Sequence, residues 1–426
     1  MSQARLTEPG APPRGVARKC RALPSARPIL IVCGGALALR LLFVLLYPQQ
    51  PIDNDALGYD QEAVQLAFGV PQGQEPVGIS KGPVYPLWLA GLYRLTGHDP
   101  RAARVMQAFL GAGTVVLLWA LAARVFDRRV ALMAAAFAAV HPALVSYTGQ
   151  LMTETLSTLL LVALTYGLVR AVERPGARRW WIFSGALAGG SILARQDLLP
   201  VVACCAGALA WARMPARRIG LFLGAVALTM LPWTLRNYRT YGQIVLVSPV
   251  LGEGLWISTT DWLEWHSDEP RYRAIAEGLG PVQRDRAFQR AAVKNILDDP
   301  LGYLRRCVGR LPRFWIGGHS HTFVHLGQPL GSYIGQGAYL RAGIKLAMLL
   351  YNLSLMALGV LGLWLAWSLG AADRGVLVLL AAPIAAKAAT HFFLFADLRY
   401  QVSMLPYLMV FAAFALRRSA WRPLTP

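Results

Sequence analysis

The sequence predicts an all-α protein that crosses a lipid bilayer many times. Hydrophobic residues make up 55% of the 426 residues, charged residues only 15%, and the mean hydropathy is +0.42. A soluble core of this chain length would not bury so many apolar side chains. The apolar residues form blocks of about 17 to 25 residues, the length of helix that crosses about 30 Å of hydrocarbon. Short basic or Pro- and Gly-rich breaks separate the blocks.

About ten such blocks follow one another along the chain. The predicted transmembrane helices lie at residues 28–47, 102–123, 130–148, 154–170, 181–194, 198–212, 219–235, 342–367, 375–395 and 400–416. Segments 48–101 and 236–341 are too long and too polar to cross. The predicted divisions are a basic cytoplasmic tail (1–27), an N-terminal transmembrane module (28–235) that contains segment 48–101, a small outer domain (236–341), C-terminal transmembrane helices (342–416) and a second cytoplasmic tail (417–426).

The formal charge of +20 is distributed in a way that indicates membrane topology rather than nucleic-acid binding. A surface that binds nucleic acid would need its cations on one face or in one domain. The arginines instead occupy the N-terminal tail and alternate breaks, near residues 124–129, 174–179, 213–218 and 417–422. These breaks fall on one side if every block crosses once, and the positive-inside rule makes that side the cytoplasm, with both termini. No small-residue cleavage site follows the first block, which is therefore expected to remain as an anchor.

Segments 48–101 and 236–341 are accordingly expected on the outer face of the membrane. In the first, an apolar periodicity from Tyr59 to Leu66 ends at Gly69 and predicts a short helix at the membrane surface. The stretch from Pro83 to Leu95 is apolar and aromatic but too short to cross, so it predicts a second surface helix.

The second outer segment begins with a β-like run, Ile244–Val247, followed by helical patterns. Asp299 and Pro300 predict the start of a helix that runs to about Arg310. Asp caps free backbone amides at a helix start, and Pro suits the first helical position.

Asp53 and Asp55 form an Asp-x-Asp pair in the first outer segment. Such a pair can bind a metal on a nucleotide sugar, but nucleotide sugars are made in the cytoplasm, whereas outside it activated sugars are supplied on lipid carriers. A carboxylate at a membrane mouth would suit a general base that takes a proton from an acceptor hydroxyl. Alternatively, Asp55 only caps the surface helix. Glu154, at a tight outer turn, is either a neighbour of Asp55 or a carboxylate favoured by the helix dipole.

Several cations lie where they could stabilise an anionic leaving group such as phosphate. Arg40, Lys387 and His391 are within predicted spans, where ionisable residues usually face a cavity or a partner. Lys387 and His391 are four residues apart and hence share a helix face. Further candidates at predicted outer boundaries are Lys81, Arg195, Arg236 and Arg399. Ion pairs between helices and extension to the membrane surface are the alternative roles.

Two aromatic clusters in the second outer segment each allow two interpretations. A zinc ion would suit the spacing of the histidines, but no carboxylate or cysteine completes a site, and solvated histidines are common. The tryptophans suit either stacking on a sugar or anchoring at the membrane interface. These residues are His319, His321 and His325, and Trp256, Trp262 and Trp265.

Six short motifs follow one another on the predicted outer side. They are Asp55-Ala56 with Tyr59; Lys81-Gly82-Pro83-Val84-Tyr85-Pro86; Leu151 to Leu156; Leu193-Ala194-Arg195; Pro232 to Tyr238 with Gly242; and Leu398-Arg399-Tyr400 with Pro406. In this order, over most of the chain, they resemble the bacterial polyprenyl-phosphate-dependent glycosyltransferases of the GT-C superfold. That group is related to protein O-mannosyltransferases and aminoarabinose transferases (ArnT-like).

The resemblance implies a GT-C-like bundle of about ten or more transmembrane helices, with juxtamembrane helices and a small domain on the outer face of a bacterial cytoplasmic (inner) membrane. It implies that Asp55 is the catalytic base, that Glu154 is a second acidic site residue, and that boundary cations bind the carrier phosphate. With the cations found within spans, the predicted substrate-binding residues are Tyr59, Lys81, Tyr85, Arg195, Arg236, Asn237, Lys387, His391, Arg399 and Tyr400. The family often has Arg at the position of Lys81 and Glu at that of Asp397.

The resulting hypothesis is transfer of a sugar from a polyprenyl-phosphate donor to a lipid, glycan or protein acceptor of the cell envelope, with inversion at the anomeric carbon. No cofactor is required, a divalent cation is compatible with the site, and nucleic acid is not an expected partner. A transporter or flippase of lipid-linked sugars is the alternative, although the inverted repeats and paired broken helices typical of alternating access are not evident. In a third interpretation, a structural or assembly protein, Asp55 and Glu154 only cap helices.

Overall fold

The computed structural model describes residues 27–47, 52, 54–70, 81–260 and 270–419, which form helices and irregular connections without a strand. The first helices are α1 (Arg27–Leu46), α2 (Asn54–Phe68), α3 (Val84–Thr96), α4 (Pro100–Val125), α5 (Arg128–Val140), α6 (Pro142–Ser146), α7 (Glu154–Glu173), α8 (Arg178–Ala194), α9 (Leu199–Trp211) and α10 (Ala216–Tyr241). They continue with α11 (Leu251–Ser258), α12 (Pro270–Ala276), α13 (Pro281–Asp298), α14 (Pro300–Trp315), α15 (Ser320–Val324), α16 (Leu330–Gly335), α17 (Tyr339–Ser368), α18 (Arg374–Phe393) and α19 (Leu405–Ser419). The predicted all-α fold class is confirmed.

In the part of the chain that the structure describes, seven helical stretches are long and apolar enough to cross a membrane. These are α1, α4, α7, α10, α17, α18 and the stretch Leu398–Arg418, which ends in α19. α5 and residues 142–149 form an eighth if the 57° bend between them lies within one crossing. The other two predicted spans form helices of 17 residues (α8) and 13 residues (α9). The polytopic architecture is therefore confirmed, whereas the predicted number of about ten crossings is not.

Ion pairs bring the basic turns together at one end of the helix bundle. Arg124, near the end of α4, lies 3.0 Å from Glu173 at the end of α7. Asp127, just before α5, pairs with Arg417 in the last turn of α19. Arg399 begins the same C-terminal span at its other end, and there it contacts α2. The bundle thus has a basic end and, opposite it, a loop end that carries α2.

Arg40, in the C-terminal half of α1, is buried and contacts the end of α5, just before α6 begins. Its two terminal guanidinium nitrogens each donate a hydrogen bond of 2.9 Å, to the carbonyl oxygens of Ala139 and Ala138. These carbonyls belong to the last turn of α5, where the helix ends before Pro142 and leaves them without helical partners. Arg40 therefore caps a neighbouring helix at its C-terminal end, where a cation also suits the helix dipole.

Replacing Arg40 with Met is expected to lower the free energy of unfolding by about 2 kcal/mol, because buried carbonyl oxygens would lose their donors. Arg94 offers a matched control, since it also donates to two carbonyls, those of Ala67 and Leu66, but is exposed to solvent that can replace it. Thermal melting of both variants in the same detergent measures the difference. Equal melting temperatures for Arg40→Met and Arg94→Met would contradict the capping role.

α2 and α3 form within residues 48–101 as predicted, with α2 followed by Gly69 in a left-handed backbone conformation (φ 88°). The buried ring of Tyr59 in α2 packs edge-on against Tyr85 in α3, with 5.1 Å between ring centres. Near the other end of α3, the hydroxyl of Tyr93 donates to the buried carboxylate of Asp60. Because Tyr59 and Asp60 are adjacent, these contacts hold both ends of α3 against the first half of α2.

Within residues 236–341 the predicted helix forms, but the predicted strand does not. Asp299 accepts a hydrogen bond from the backbone N–H of Gly302 at 2.8 Å and so caps α14, which runs past Arg310 to Trp315. The prediction of a β-like run at Ile244–Val247 is wrong, because this stretch is an irregular loop after α10.

Side chains of α10 explain why the loop does not form a strand. The indole N–H of Trp233 donates to the carbonyl of Val247 at 2.8 Å, and the amide of Asn237 donates to Val245 at 2.9 Å. The backbone acceptors that a neighbouring strand would use are therefore taken by a helix, and the apolar β-branched side chains alone do not create a sheet.

Candidate active site

Asp55 lies at the loop end, in the first turn of α2, between two cations. Lys81 contacts one carboxylate oxygen, and the guanidinium of Arg399 lies 2.7 Å from the other. The side chains of Asp55, Lys81 and Arg399 are 34, 30 and 29% exposed, so an incoming molecule can reach them. Burial raises the pKa of Asp55, but the charges of Arg399 and Lys81 outweigh it and hold the pKa well below its ordinary value. Asp55 is therefore a carboxylate paired with residues from distant parts of the chain.

Lys81 is positioned by its neighbours in the motif that leads into α3. Its ammonium group lies 4.7 Å from the centre of the Tyr59 ring. Gly82 packs directly on the end of α8, where a Cβ atom would overlap the carbonyl oxygen of Leu193. Tyr85 is buried, and its hydroxyl donates to the side-chain oxygen of Gln107 in α4 at 2.9 Å. Tyr59 thus packs against Lys81, and Tyr85 packs against Tyr59.

Glu154 and Arg195 form a second charged pair deeper in the molecule. Glu154 is the first residue of α7 and is buried, and its carboxylate lies 2.6 Å from the guanidinium of Arg195. Arg195 follows α8 and donates two more hydrogen bonds, each of 3.2 Å, to the two carboxylate oxygens of Asp197. The two carboxylates therefore hold Arg195 from two directions.

Asp197 also joins this pair to α18. The ammonium group of Lys387 lies 2.6 Å from its carboxylate, and the ring of His391 lies 3.4 Å from the same oxygen. Lys387 and His391 share one face of α18, as their spacing predicts. The side chain of Lys387 is 0% exposed and that of His391 4%, so these two groups stand behind Asp197 rather than at the accessible side of the site.

Tyr400 connects the accessible and buried groups. Its ring stacks on His391 with 4.2 Å between ring centres, and its hydroxyl accepts a hydrogen bond of 3.1 Å from Arg399. Three cations surround the ring at 5.0 to 5.7 Å from its centre: Arg399, Arg195 and Lys387. Because an aromatic face attracts cations, the ring allows these like charges to lie close together. We refer to the whole set as the charged cluster: Asp55, Lys81, Glu154, Arg195, Asp197, Lys387, His391, Arg399 and Tyr400.

The charged cluster has more positive than negative charge. Its carboxylates are Asp55, Glu154 and Asp197, and its cations other than His391 are Lys81, Arg195, Lys387 and Arg399. One positive charge is left uncompensated even when His391 is neutral. The accessible cations lie at one side, so the arrangement favours binding a single negative charge beside Lys81 and Arg399.

Arg236 and Asn237 lie next to the loop that contacts Gln196, beside the cluster. Arg236 lies over the ring of Trp233, 4.8 Å from its centre, and donates to the side-chain oxygen of Asn237. Asn237 holds the loop after α10, as described above. Within that loop, Ser248 donates a hydrogen bond of 3.0 Å to Gln196, which is next to Asp197. The two predicted residues therefore support the loop that lies against the site.

Asp197 is the cluster residue that the sequence analysis missed. Its signal is present in the sequence, since it stands two residues after Arg195 in the short break between two apolar blocks. A carboxylate at a membrane boundary needs a cation, and both Arg195 and the predicted intramembrane Lys387 were available as partners.

The described residues contain no group of three or more His, Cys, Asp or Glu side chains that could hold a metal ion. His319 is buried and faces His141, with 6.1 Å between ring centres, while His325 packs on Tyr47. Trp256 is buried against Phe288 and offers no exposed face to a sugar. Asp53, Trp262 and Trp265 lie outside the described residues.

Comparison with known proteins supports the resemblance seen in the sequence. Residues 80–235 match the family model of dolichyl-phosphate-mannose-protein mannosyltransferases. This range includes Lys81, Glu154, Arg195 and Asp197 of the cluster. No curated protein sequence matches the chain.

Solved structures of an archaeal oligosaccharyltransferase have the same fold, and an ArnT structure is a weaker match. The oligosaccharyltransferase AglB of Archaeoglobus fulgidus, in complex with an inhibitory peptide and a dolichol-phosphate, is 15% identical with a TM-score of 0.54 over 92% of this chain and 50% of its own. The Archaeoglobus fulgidus oligosaccharyltransferase in complex with Zn and sulfate is 15% identical, with a TM-score of 0.56. The match covers 92% of this chain and 49% of the oligosaccharyltransferase. ArnT of Cupriavidus metallidurans, bound to undecaprenyl phosphate, is 14% identical, with a TM-score of 0.43. The match covers 91% of this chain and 78% of ArnT.

The chain spans about half the length of the oligosaccharyltransferases that it resembles. Residues 80–235 thus match the family model of the dolichyl-phosphate-mannose-protein mannosyltransferases, and the chain shares the helical fold of the oligosaccharyltransferase AglB.

Proposed function

We propose that the chain is a membrane glycosyltransferase that moves a sugar from a polyprenyl monophosphate to an acceptor hydroxyl. The transfer takes place at the outer face of the cytoplasmic membrane. The observation that carries this proposal is Asp55, held between Lys81 and Arg399 on the accessible side of the charged cluster. The matching family is described by its dolichyl-phosphate-mannose substrate, and AglB is described with a bound dolichol-phosphate. Both support a phosphorylated polyprenol as the sugar carrier.

The charge of the cluster favours a monophosphate carrier. A sugar joined to a polyprenol through one phosphate is a phosphodiester with a single negative charge, which matches the uncompensated positive charge of the cluster. Lys81 and Arg399 are the accessible ligands for that phosphate, and Arg195, whose side chain is 11% exposed, stands behind them. A diphosphate carrier would leave extra negative charge without a cation in this cluster.

In the proposed reaction the acceptor oxygen attacks the anomeric carbon while Asp55 takes the hydroxyl proton. The bond between the anomeric carbon and the phosphate oxygen breaks, and its electron pair leaves with the phosphate. The products are the glycosylated acceptor and polyprenyl phosphate, whose added negative charge Lys81, Arg399 and Arg195 stabilise. Attack opposite the leaving phosphate inverts the anomeric centre, and no step requires a cofactor.

Donor binding also prepares Asp55 to act as a base. In the structure Lys81 and Arg399 depress the pKa of Asp55 and so weaken its attraction for a proton. When these cations share their charge with a phosphate, they stabilise the Asp55 carboxylate less, and its pKa rises. Asp55 therefore becomes an effective base when the donor is in place.

The proposal is tested with the purified full chain in lipid nanodiscs. A panel of synthetic polyprenyl monophosphate sugars is added with membrane extract as the acceptor source, and released polyprenyl phosphate is measured by mass spectrometry. Envelope glycans from cells with and without the gene then identify the sugar and the acceptor. Movement of intact donor across vesicle membranes without bond cleavage would exclude the proposal and support a flippase instead.

Gly82→Ala is expected to weaken binding of undecaprenyl phosphate about 10- to 100-fold, because the new Cβ would push the Lys81 loop off the end of α8. Gly91→Ala is the matched control, since Gly91 is exposed in α3 and a Cβ there meets no atom within 4 Å. Titration of both variants, followed by their intrinsic fluorescence, gives the two dissociation constants. Unchanged binding by a normally folded Gly82→Ala variant would argue against Lys81 as a phosphate ligand.

A further inference from the structure

Helix α14 presents an apolar face away from the protein. Leu301, Leu304 and Val308 are 68, 47 and 53% exposed, and they recur on one face at spacings of three and four residues. Arg310 and Phe314, on the opposite face, are buried. A surface helix of a water-soluble domain has the reverse arrangement, with its apolar residues directed inward. The exposed face of α14 is therefore suited to apolar surroundings.

α13, the helix that precedes α14, also carries exposed apolar residues. Leu297 and Val293 are 75 and 49% exposed near the turn that leads into α14. The exposed cations Lys294, Arg290 and Arg286 stand on the same face of α13, because at 3.6 residues per turn all five side chains fall within about 100°. We refer to these residues of α13 and α14 as the α13–α14 surface: Arg286, Arg290, Val293, Lys294, Leu297, Leu301, Leu304 and Val308.

The position of α14 places this surface at the level of the membrane boundary. The hydroxyl of Tyr303 donates a 2.5 Å hydrogen bond to the carbonyl of Phe393, the last residue of α18. Gln401, near the start of the C-terminal span, donates to the carbonyl of Phe314 at 2.9 Å. Both partners are at the loop ends of candidate membrane spans. α14 therefore lies where these spans leave the hydrocarbon.

We propose that the α13–α14 surface binds the bilayer itself, with its apolar side chains below the headgroups and the α13 cations on anionic headgroups. An exposed apolar stripe beside basic residues is the pattern of helices that lie in the membrane interface, and the helix that carries the stripe is hydrogen-bonded to the ends of two candidate spans. The ring of Phe314 stacks on His391 of the charged cluster, 5.6 Å between ring centres. Membrane attachment of α14 thereby also fixes one wall of the site.

Cysteine accessibility tests this proposal independently of sugar transfer. Leu301→Cys, Leu304→Cys and Val308→Cys are made in the full chain and placed, one copy per disc, in nanodiscs of phosphatidylethanolamine and phosphatidylglycerol. A charged, water-soluble maleimide is then added, and the unsubstituted protein gives the background from the native cysteines. Glu277→Cys, exposed beyond α12, is the control for water, and Val360→Cys, exposed in α17, is the control for lipid.

The α14 cysteines are expected to react about 10-fold or more slowly than Glu277→Cys and at a rate near that of Val360→Cys. Labelling as fast as at Glu277→Cys would overturn the proposal. In a disc with one copy of the chain, only the lipid can shield the α14 cysteines from the maleimide. Replacing phosphatidylglycerol with neutral phosphatidylcholine is expected to speed labelling of Leu297→Cys. An unchanged rate in neutral discs would overturn the role of anionic headgroups.

Discussion

Asp55→Asn is expected to lower the rate of sugar transfer about 1000-fold while binding of polyprenyl phosphate stays equal or becomes tighter. Asn has the size of Asp but cannot accept the proton of the acceptor hydroxyl, and loss of a general base costs about 100- to 10,000-fold. Binding changes in the opposite direction because Lys81 and Arg399 no longer share their charge with a carboxylate. Rates with the identified donor and titration with undecaprenyl phosphate measure the two effects.

The opposite signs separate a base from a residue that only holds α2 in place. Asp55→Glu is the control, because it keeps the carboxylate and should retain a measurable part of the rate. If Asp55→Asn lost rate and phosphate binding together, Asp55 would be a positioning residue for Lys81 and Arg399. Melting temperatures of the variants show whether the fold is intact in each case.

The sequence predicted the residues of the site better than their partners. The helical spacing of Lys387 and His391 correctly places them on one face of α18, and local motifs single out Asp55 and Lys81. The contact between Asp55 and Arg399, however, joins residues 344 positions apart, and that between Asp197 and Lys387 joins residues 190 apart. Such pairings depend on how whole helices pack, which no local pattern specifies.

The same limit explains the errors in the fold. The β-branched run Ile244–Val247 has the local pattern of a strand, but α10 supplies the hydrogen-bond donors that a neighbouring strand would have supplied. Apolar composition predicts that α8 and α9 are helices, but not how far each reaches across a membrane. At the 57° bend between α5 and residues 142–149, Arg40 from α1 donates to the carbonyl of Ala139, a contact between residues 99 positions apart.

Asp197 and Lys387 are expected to behave as one unit in stability measurements. Asp197→Asn would leave the fully buried Lys387 ammonium without its carboxylate, and breaking a buried ion pair in this way costs about 3 to 5 kcal/mol. Lys387→Met should cost less, because Asp197 keeps its contacts with Arg195. The double variant Asp197→Asn/Lys387→Met removes both charges and should melt at a higher temperature than Asp197→Asn alone. Additive losses of melting temperature would show that the two residues are not coupled.

The same variants decide whether Lys387 touches the donor phosphate. Lys387 has no exposed surface, whereas Lys81 and Arg399 are about one-third exposed, so Lys387 is expected to act only through Asp197 and Arg195. The double variant should therefore bind undecaprenyl phosphate within about 3-fold of the unsubstituted protein, while Lys81→Met weakens binding about 10-fold or more through loss of a charge-assisted contact. If the double variant melts normally but binds as weakly as Lys81→Met, Lys387 is itself a phosphate ligand. The accessible cations would then not account for donor binding, and the site would have to open toward α18.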